Sequence, residues 1–227
     1  MRKVYASTRC GWLRCQKRED FDQFRNQGLC ALGWLEARTG ASQQGLDRLR
    51  DGLTGMLDLA ILVGLPFYRS LLVDAQSEDE CRRDNIAVLD EALDLSGCIG
   101  DTWFTAELHR RRGEVLAGLS SDSTLAETEL DRALAIAREQ SAKLFELRAA
   151  MSLARLWAVQ GKRVEARSLL APVHDYFTEG FGTLDLQEAR LLLDDLANSA
   201  GRLRWHPNRP ESSPIGQAIS TIPAAPR

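Results

Sequence analysis

Leucine recurs along this chain at a nearly fixed interval. Leu49, Leu89, Leu130 and Leu170 stand 40, 41 and 40 residues apart. Three positions after each come Gly52, Ala92, Ala133 and Val173. Four positions before each come Gly45, Asn85, Ala126 and Ala166, again mostly small. A second register runs through the first half of each unit, where Gly33, Val73, Gly113 and Ala154 recur at 40, 40 and 41. Repetition at this length means one supersecondary unit stacked on copies of itself. Small residues let the two helices of a hairpin approach closely, and a nearby Leu fills the groove beside them. The single extra residue enters the two registers at different steps. It therefore lies between the helices of the third unit, in the turn-forming stretch 118–124.

The unit is helical. Leu125, Leu130, Leu134 and Ala137, with Ala126 and Ala133, repeat at helical spacing, as do Leu147, Ala150, Leu153, Ala154 and Trp157. No segment sustains the two-residue alternation of a strand. Pro66 suits a first helical turn, Asp101 or Thr102 and Ser123 or Thr124 suit N-caps, and Gly161 suits a turn. The spacing predicts helix pairs at 21–38/42–58, 64–77/80–96, 102–117/124–140 and 143–160/163–178. A last helix at 185–197 has Leu186, Ala189, Leu192, Leu193 and Leu196 on one side, as a terminal cap requires. The expected fold is all-α: a solenoid of about four helical hairpins over 21–197 with a C-terminal capping helix.

The flanks differ from this middle. The first 18 residues carry Arg2, Lys3, Arg9, Arg14, Lys17 and Arg18 and no acid. Segment 1–20 is expected to be a poorly ordered basic terminus; it lacks the apolar stretch of a secretory signal. Segment 198–227 holds five of the seven prolines and is expected to be disordered. Net charge is −3, which argues against nucleic-acid binding by the folded domain. No uncharged apolar run reaches the roughly 18 residues of a membrane span. The five cysteines form no Cys-x-x-Cys pair, so zinc and thioredoxin-type chemistry have no support. An odd cysteine count without a secretory signal leads to the expectation of a reducing, cytoplasmic setting.

The pattern Ala126, Leu130, Ala133 on the second helix of a pair resembles the tetratricopeptide repeat, with a longer period than usual. Two stretches, Trp103–Leu116 and Leu147–Leu196, are similar to the C-terminal array of multidomain bacterial proteins. Those proteins join a class III adenylate/guanylate cyclase domain, or a DNA-binding domain, to an AAA-type ATPase module and tetratricopeptide repeats. The resemblance covers about residues 30–197. It implies a regulatory, protein-binding array, or a relative of such proteins whose catalytic modules lie outside this chain.

No catalytic function is expected from the chain itself. Gly161-Lys162 is the only Gly-Lys pair, and it is followed by Arg163, so no phosphate-binding loop is present. No cofactor or metal is expected. His174, beside Asp175, has the residue types of an acid–base pair, but a helix-end histidine is the commoner reading. Trp34, Trp103 and Trp157 are expected to pack rather than to anchor a ligand. Phe177, Phe181 and Leu184 are expected to seat the last helix. The sharpest surface candidate is the basic run at His109, Arg110 and Arg111, followed by Arg112. The resemblance puts it on a helix face that grips a protein or peptide segment bearing carboxylates. The same arginines can instead pair with Glu107 and Glu114.

Overall fold

Helical periodicity in the sequence becomes helix throughout. The computed structural model describes residues 4–76, 82–119 and 123–198, with side chains from residue 21 onward except at 82 and 83. Among the described residues there are nine α-helices and no strand. They are α1 (Val4–Arg38), α2 (Ser42–Asp58), α3 (Leu65–Ala75), α4 (Arg82–Ile99), α5 (Thr105–Leu119), α6 (Thr124–Glu139), α7 (Lys143–Val159), α8 (Arg163–Asp175) and α9 (Leu184–Ala197). No described helix is long and apolar enough to cross a membrane.

The boundaries lie within three residues of the expected pairs, except at the start of α1. Helix α1 begins at Val4 rather than near 21, so the backbone of most of the basic segment belongs to it. Helix α5 begins at Thr105 rather than 102. Asp101 does not cap it: its carboxylate accepts from the Gly64 amide at 2.7 Å, and its carbonyl accepts from Ser96 Oγ at 2.5 Å. Ser123 precedes α6 without a side-chain cap bond, and its hydroxyl instead accepts from Gln160 Nε2 at 2.7 Å. The inserted residue falls between the end of α5 and the start of α6, where 120–122 lie outside the described residues, as does the Pro-rich tail beyond 198.

The chain divides into two compact units, Met1–Phe104 and Thr105–Arg227. In the first, α1 packs on α2 and α3 on α4, and α3 also lies against both α1 and α2. Its core holds Cys30, Leu49, Leu53, Met56, Leu65 and Leu71. Burial pushes the Cys30 thiol up to about 12, so it stays protonated and behaves as an apolar group. In the second unit, α5 packs on α6 and α7 on α8, α7 also lies against α5 and α6, and α9 against α7 and α8. Its core runs from Ala126 and Leu130 through Leu147–Leu156 to Leu170, Leu186 and Leu192. Leu191, on the far side of α9, is 68% exposed, so α9 buries one face only.

The repeated positions are the contacts. Leu49, Leu89, Leu130 and Leu170 are all fully buried. Gly33, Gly113 and Ala154 of the second register are buried, and Val73 is half-buried. A Cβ added to Gly113 would stand 2.7 Å from Leu130 Cγ, so the missing side chain is the space that Leu130 fills.

The helix ends repeat as well. Four helices stop with an amide reaching back five residues: Ala41 to Glu36 (3.0 Å), Ile61 to Met56 (2.8 Å), Ala142 to Ala137 (2.9 Å) and Lys162 to Trp157 (2.8 Å). This closure needs a left-handed residue just before the donor. Gly40 (φ 112°), Ala60 (52°), Ser141 (55°) and Gly161 (84°) supply it.

Candidate functional site

Consecutive residues on a helix are turned by about 100°. A run of four cations therefore cannot form one patch. His109 and Arg110 are 5% and 6% exposed, and the Arg111 side chain is 12% exposed. The exposed basic face expected here is corrected: the run divides between two internal sets of acids.

Residues 107, 110 and 114 share one face of α5, turned toward α7. Arg110 donates to both oxygens of Glu107, Nε to Oε2 at 2.8 Å and Nη2 to Oε1 at 2.7 Å. Its Nη1 donates to Glu114 Oε1 at 2.5 Å and to Ser152 Oγ at 3.2 Å, and the Ser152 hydroxyl donates to the same Glu114 oxygen at 2.7 Å. Arg111 Nε lies 3.5 Å and Arg148 Nη1 4.0 Å from Glu107 Oε1. Arg148 also forks onto Asp185 of α9 at 2.7 and 2.9 Å. Burial by itself would raise the Glu107 carboxyl, but Arg110, assisted by Arg111 and Arg148, holds it down at about 2. Three guanidiniums thus meet Glu107, Glu114 and Asp185 in an internal network that ties α5, α7 and α9 together.

The other face of α5 meets α6. His109 Nδ1 stands 2.7 Å from Glu129 Oε2, and Arg112 Nη1 stands 3.0 Å from Glu129 Oε1. Burial is the largest influence on His109 and lowers its pKa, while Glu129 pulls the other way without cancelling it. The neutral ring carries its proton on Nδ1, because a carboxylate can only accept.

The remaining candidates are spread through the fold. His174 ends α8 with Nδ1 3.4 Å from Asp175 Oδ1. Trp34 lies under the Arg38 guanidinium, and Trp157 Nε1 donates to Glu127 at 2.7 Å. Trp103 is half exposed, in a ring cluster with Phe67 and Phe104. Phe177 packs on the core, whereas Phe181 is half exposed. Among the described residues no group of three His, Cys, Asp or Glu is placed to hold a metal ion.

The sequence reading missed a polar cleft in the first unit. It has a volume of about 580 Å³ and is walled by Arg25, Asn26 and Leu29 of α1 and by a face of α2 from Gln44 to Asp58. Three carboxylates stand on that α2 wall: Asp47, Asp51 and Asp58. Asp47 is occupied by Arg50 at 3.2 Å and Gln43 at 2.9 Å, and Arg48 pairs with Glu36. Asp51 and Asp58 make no ion pair or side-chain hydrogen bond among the described residues. Asn26 at the base of the cleft is 7% exposed, and its amide is likewise unbonded. It sits where Gly55 lacks a side chain: a Cβ there would come within 2.5–2.6 Å of the Asn26 amide atoms. The spacing of the aspartates was visible in the sequence, but nothing local pointed to Asn26, 25 residues before Asp51.

No family model matches the chain, and no solved structure matches it. An uncharacterized protein of Rhizobium meliloti (strain 1021) is 27% identical to it over 146 residues. That stretch is 64% of this chain and 14% of the Rhizobium protein, so the chain corresponds to a small part of a far longer relative.

Proposed function

We propose that this chain is a tetratricopeptide-like helical repeat module acting as a non-catalytic, regulatory scaffold that binds a protein or peptide segment. The observation that carries the reading is the repeated contact. Leucines 40 or 41 residues apart are each fully buried, between flanking positions that are mostly small. The recurring left-handed helix ends support it, and so does the way α3 and α7 each lie against both helices of the preceding pair. Stacked hairpins of this kind build extended surfaces, and their usual use is recognition. The great length of the Rhizobium relative fits an array carried by a multidomain protein. Any cyclase or ATPase activity would then belong to modules outside this chain.

The test is a purified chain given magnesium with ATP or GTP, and separately a panel of labelled peptides. No hydrolysed or cyclised nucleotide is expected, and at least one peptide should bind saturably. Metal-dependent turnover abolished by one point substitution in this chain would overturn the proposal.

A further inference from the structure

We infer that the cleft between α1 and α2 binds a basic peptide segment of a partner protein. Its Lys or Arg side chains pair with Asp51 and Asp58, and its backbone is read by the Asn26 amide. The inference rests on the scaffold reading above and adds where the segment binds and what chemistry it carries.

Three observations converge on the cleft. The first is what α2 leaves unpaired. Asp47 and Arg48 on the same wall already have partners, while the Asp51 and Asp58 carboxylates face the opening without one among the described residues. The second is Asn26. The residue is 7% exposed and makes no hydrogen bond among the described residues, yet its amide atoms are not sealed from the cleft. An amide both donates and accepts, so it matches the N–H and C=O of a peptide backbone. Gly55 leaves the space that lets this amide lie at the base of the cleft. The third is room. A volume of about 580 Å³ holds several side chains.

The spacing narrows the ligand further. Asp51 and Asp58 are two turns apart, a rise of about 10 Å along α2. In a polyproline II segment three residues make one turn and cover about 9 Å, so side chains three apart point the same way and match this distance. The preferred segment therefore carries cations in the order Arg/Lys-x-x-Arg/Lys. Arg25, exposed on the α1 rim, opposes such a ligand and limits its affinity. The buried arginines of α5 take no part, since they are committed to Glu107, Glu114 and Asp185.

Fluorescence anisotropy with the full chain tests this. Four labelled probes of equal length are used: an Arg-x-x-Arg peptide, its Gln and Glu counterparts, and one with the two arginines five residues apart. The Arg-x-x-Arg probe should bind best and should weaken with added salt. Asp51→Asn with Asp58→Asn should lower its affinity about tenfold or more, and Asn26→Leu should also lower it. Arg25→Ala should raise it. Arg25, Asp51 and Asp58 are exposed and lack internal ion pairs, so the melting temperatures of their variants should stay close to that of the unaltered chain. Unchanged binding in the double aspartate variant, or equal binding of the Gln probe, would overturn the assignment. Binding of the Glu probe alone would remove the cleft proposal and leave the scaffold reading standing. Failure of all four probes would also remove the cleft proposal, while the scaffold reading stands or falls on its own peptide panel.

Discussion

Gly33 and Gly45 lie face to face across the α1–α2 contact. A Cβ on Gly33 would stand 2.6 Å from the Gly45 carbonyl oxygen, and one on Gly45 would stand 2.5 Å from that of Gly33. Both obstacles are backbone, so neither can move aside alone. Gly33→Ala should therefore destabilise the first unit by roughly 1–3 kcal/mol, despite the better helix propensity of alanine. Gly28 lies one and a half turns earlier, and a Cβ added there would meet nothing within 4 Å. Gly28→Ala should stabilise by about 0.5–1 kcal/mol. Urea titration of the two variants decides the point; the same sign for both would refute the close-approach account.

Leu130 and Leu170 occupy equivalent places in the repeat, and neither is exposed. Truncating each to Ala should cost about 2–5 kcal/mol, because the rigid helices around the gap cannot collapse into it. Chemical denaturation monitored by circular dichroism measures this. A loss below about 0.5 kcal/mol in both would show that the repeat register does not mark the core.

Arg110 is the centre of the α5 network. Arg110→Met leaves Glu107 facing a buried site with its main partner gone, and should cost about 3–5 kcal/mol. Adding Glu107→Leu should recover a substantial part of that loss, since an apolar pair of similar volume avoids the desolvation penalty. A double variant less stable than Arg110→Met would show that Glu107 is held by its other arginines instead.

Acid should weaken the fold. Glu107 ionises at about 2 in the folded chain against 4.5 as a free side chain. A depressed carboxyl contributes stability above the free value, and that contribution is lost as pH falls from 4.5 toward 2. Glu127 and Glu146 are shifted the same way, and Asp131, raised by burial and by Glu127, works against them. His109, lowered mainly by burial, adds a loss that begins below 6.5. Thermal melts across this range should show a steep decline, and Glu107→Gln should flatten it. An unchanged slope in that variant would count against the network as its source.

Ala60 and Ser141 hold left-handed backbone angles at helix ends where the fourth-helix terminus has Gly100, at 40- and 41-residue intervals. A side chain in this conformation costs about 1–2 kcal/mol relative to glycine. Ala60→Gly and Ser141→Gly should each raise stability, by about 0.5–1 kcal/mol after the added unfolded-state entropy of glycine. Differential scanning calorimetry would register the gain, and a lower melting temperature in both would contradict it.

The helices were legible because their signal is local and repeated. Leu49, Leu89, Leu130 and Leu170 announce buried positions through spacing alone, and the boundaries of α2, α6 and α7 lie within a residue of the pattern. The start of α5 was not legible. Asp101 looks like a cap in sequence, but its carboxylate is taken by Gly64, 37 residues away. The left-handed helix ends were half visible: Gly40, Gly100 and Gly161 signal them, and Ala60 and Ser141 do not.

The sequence by itself determined an all-helical chain, a repeat near forty residues and the small-against-large contacts of each hairpin. These follow from periodicity, which a linear string records. Tertiary structure alone decided which charges are spent and which remain. The run at His109–Arg112 reads as a basic patch until Glu129, Ser152, Arg148 and Asp185 arrive from other helices and enclose it. Asp51 and Asp58 read as ordinary surface acids until α1 brings the unbonded Asn26 amide into the cleft they line. The physical reason is that desolvation depends on distance in space: Glu107 and Glu114 are local partners of Arg110, but the groups that complete and enclose these pairs lie tens of residues away along the chain.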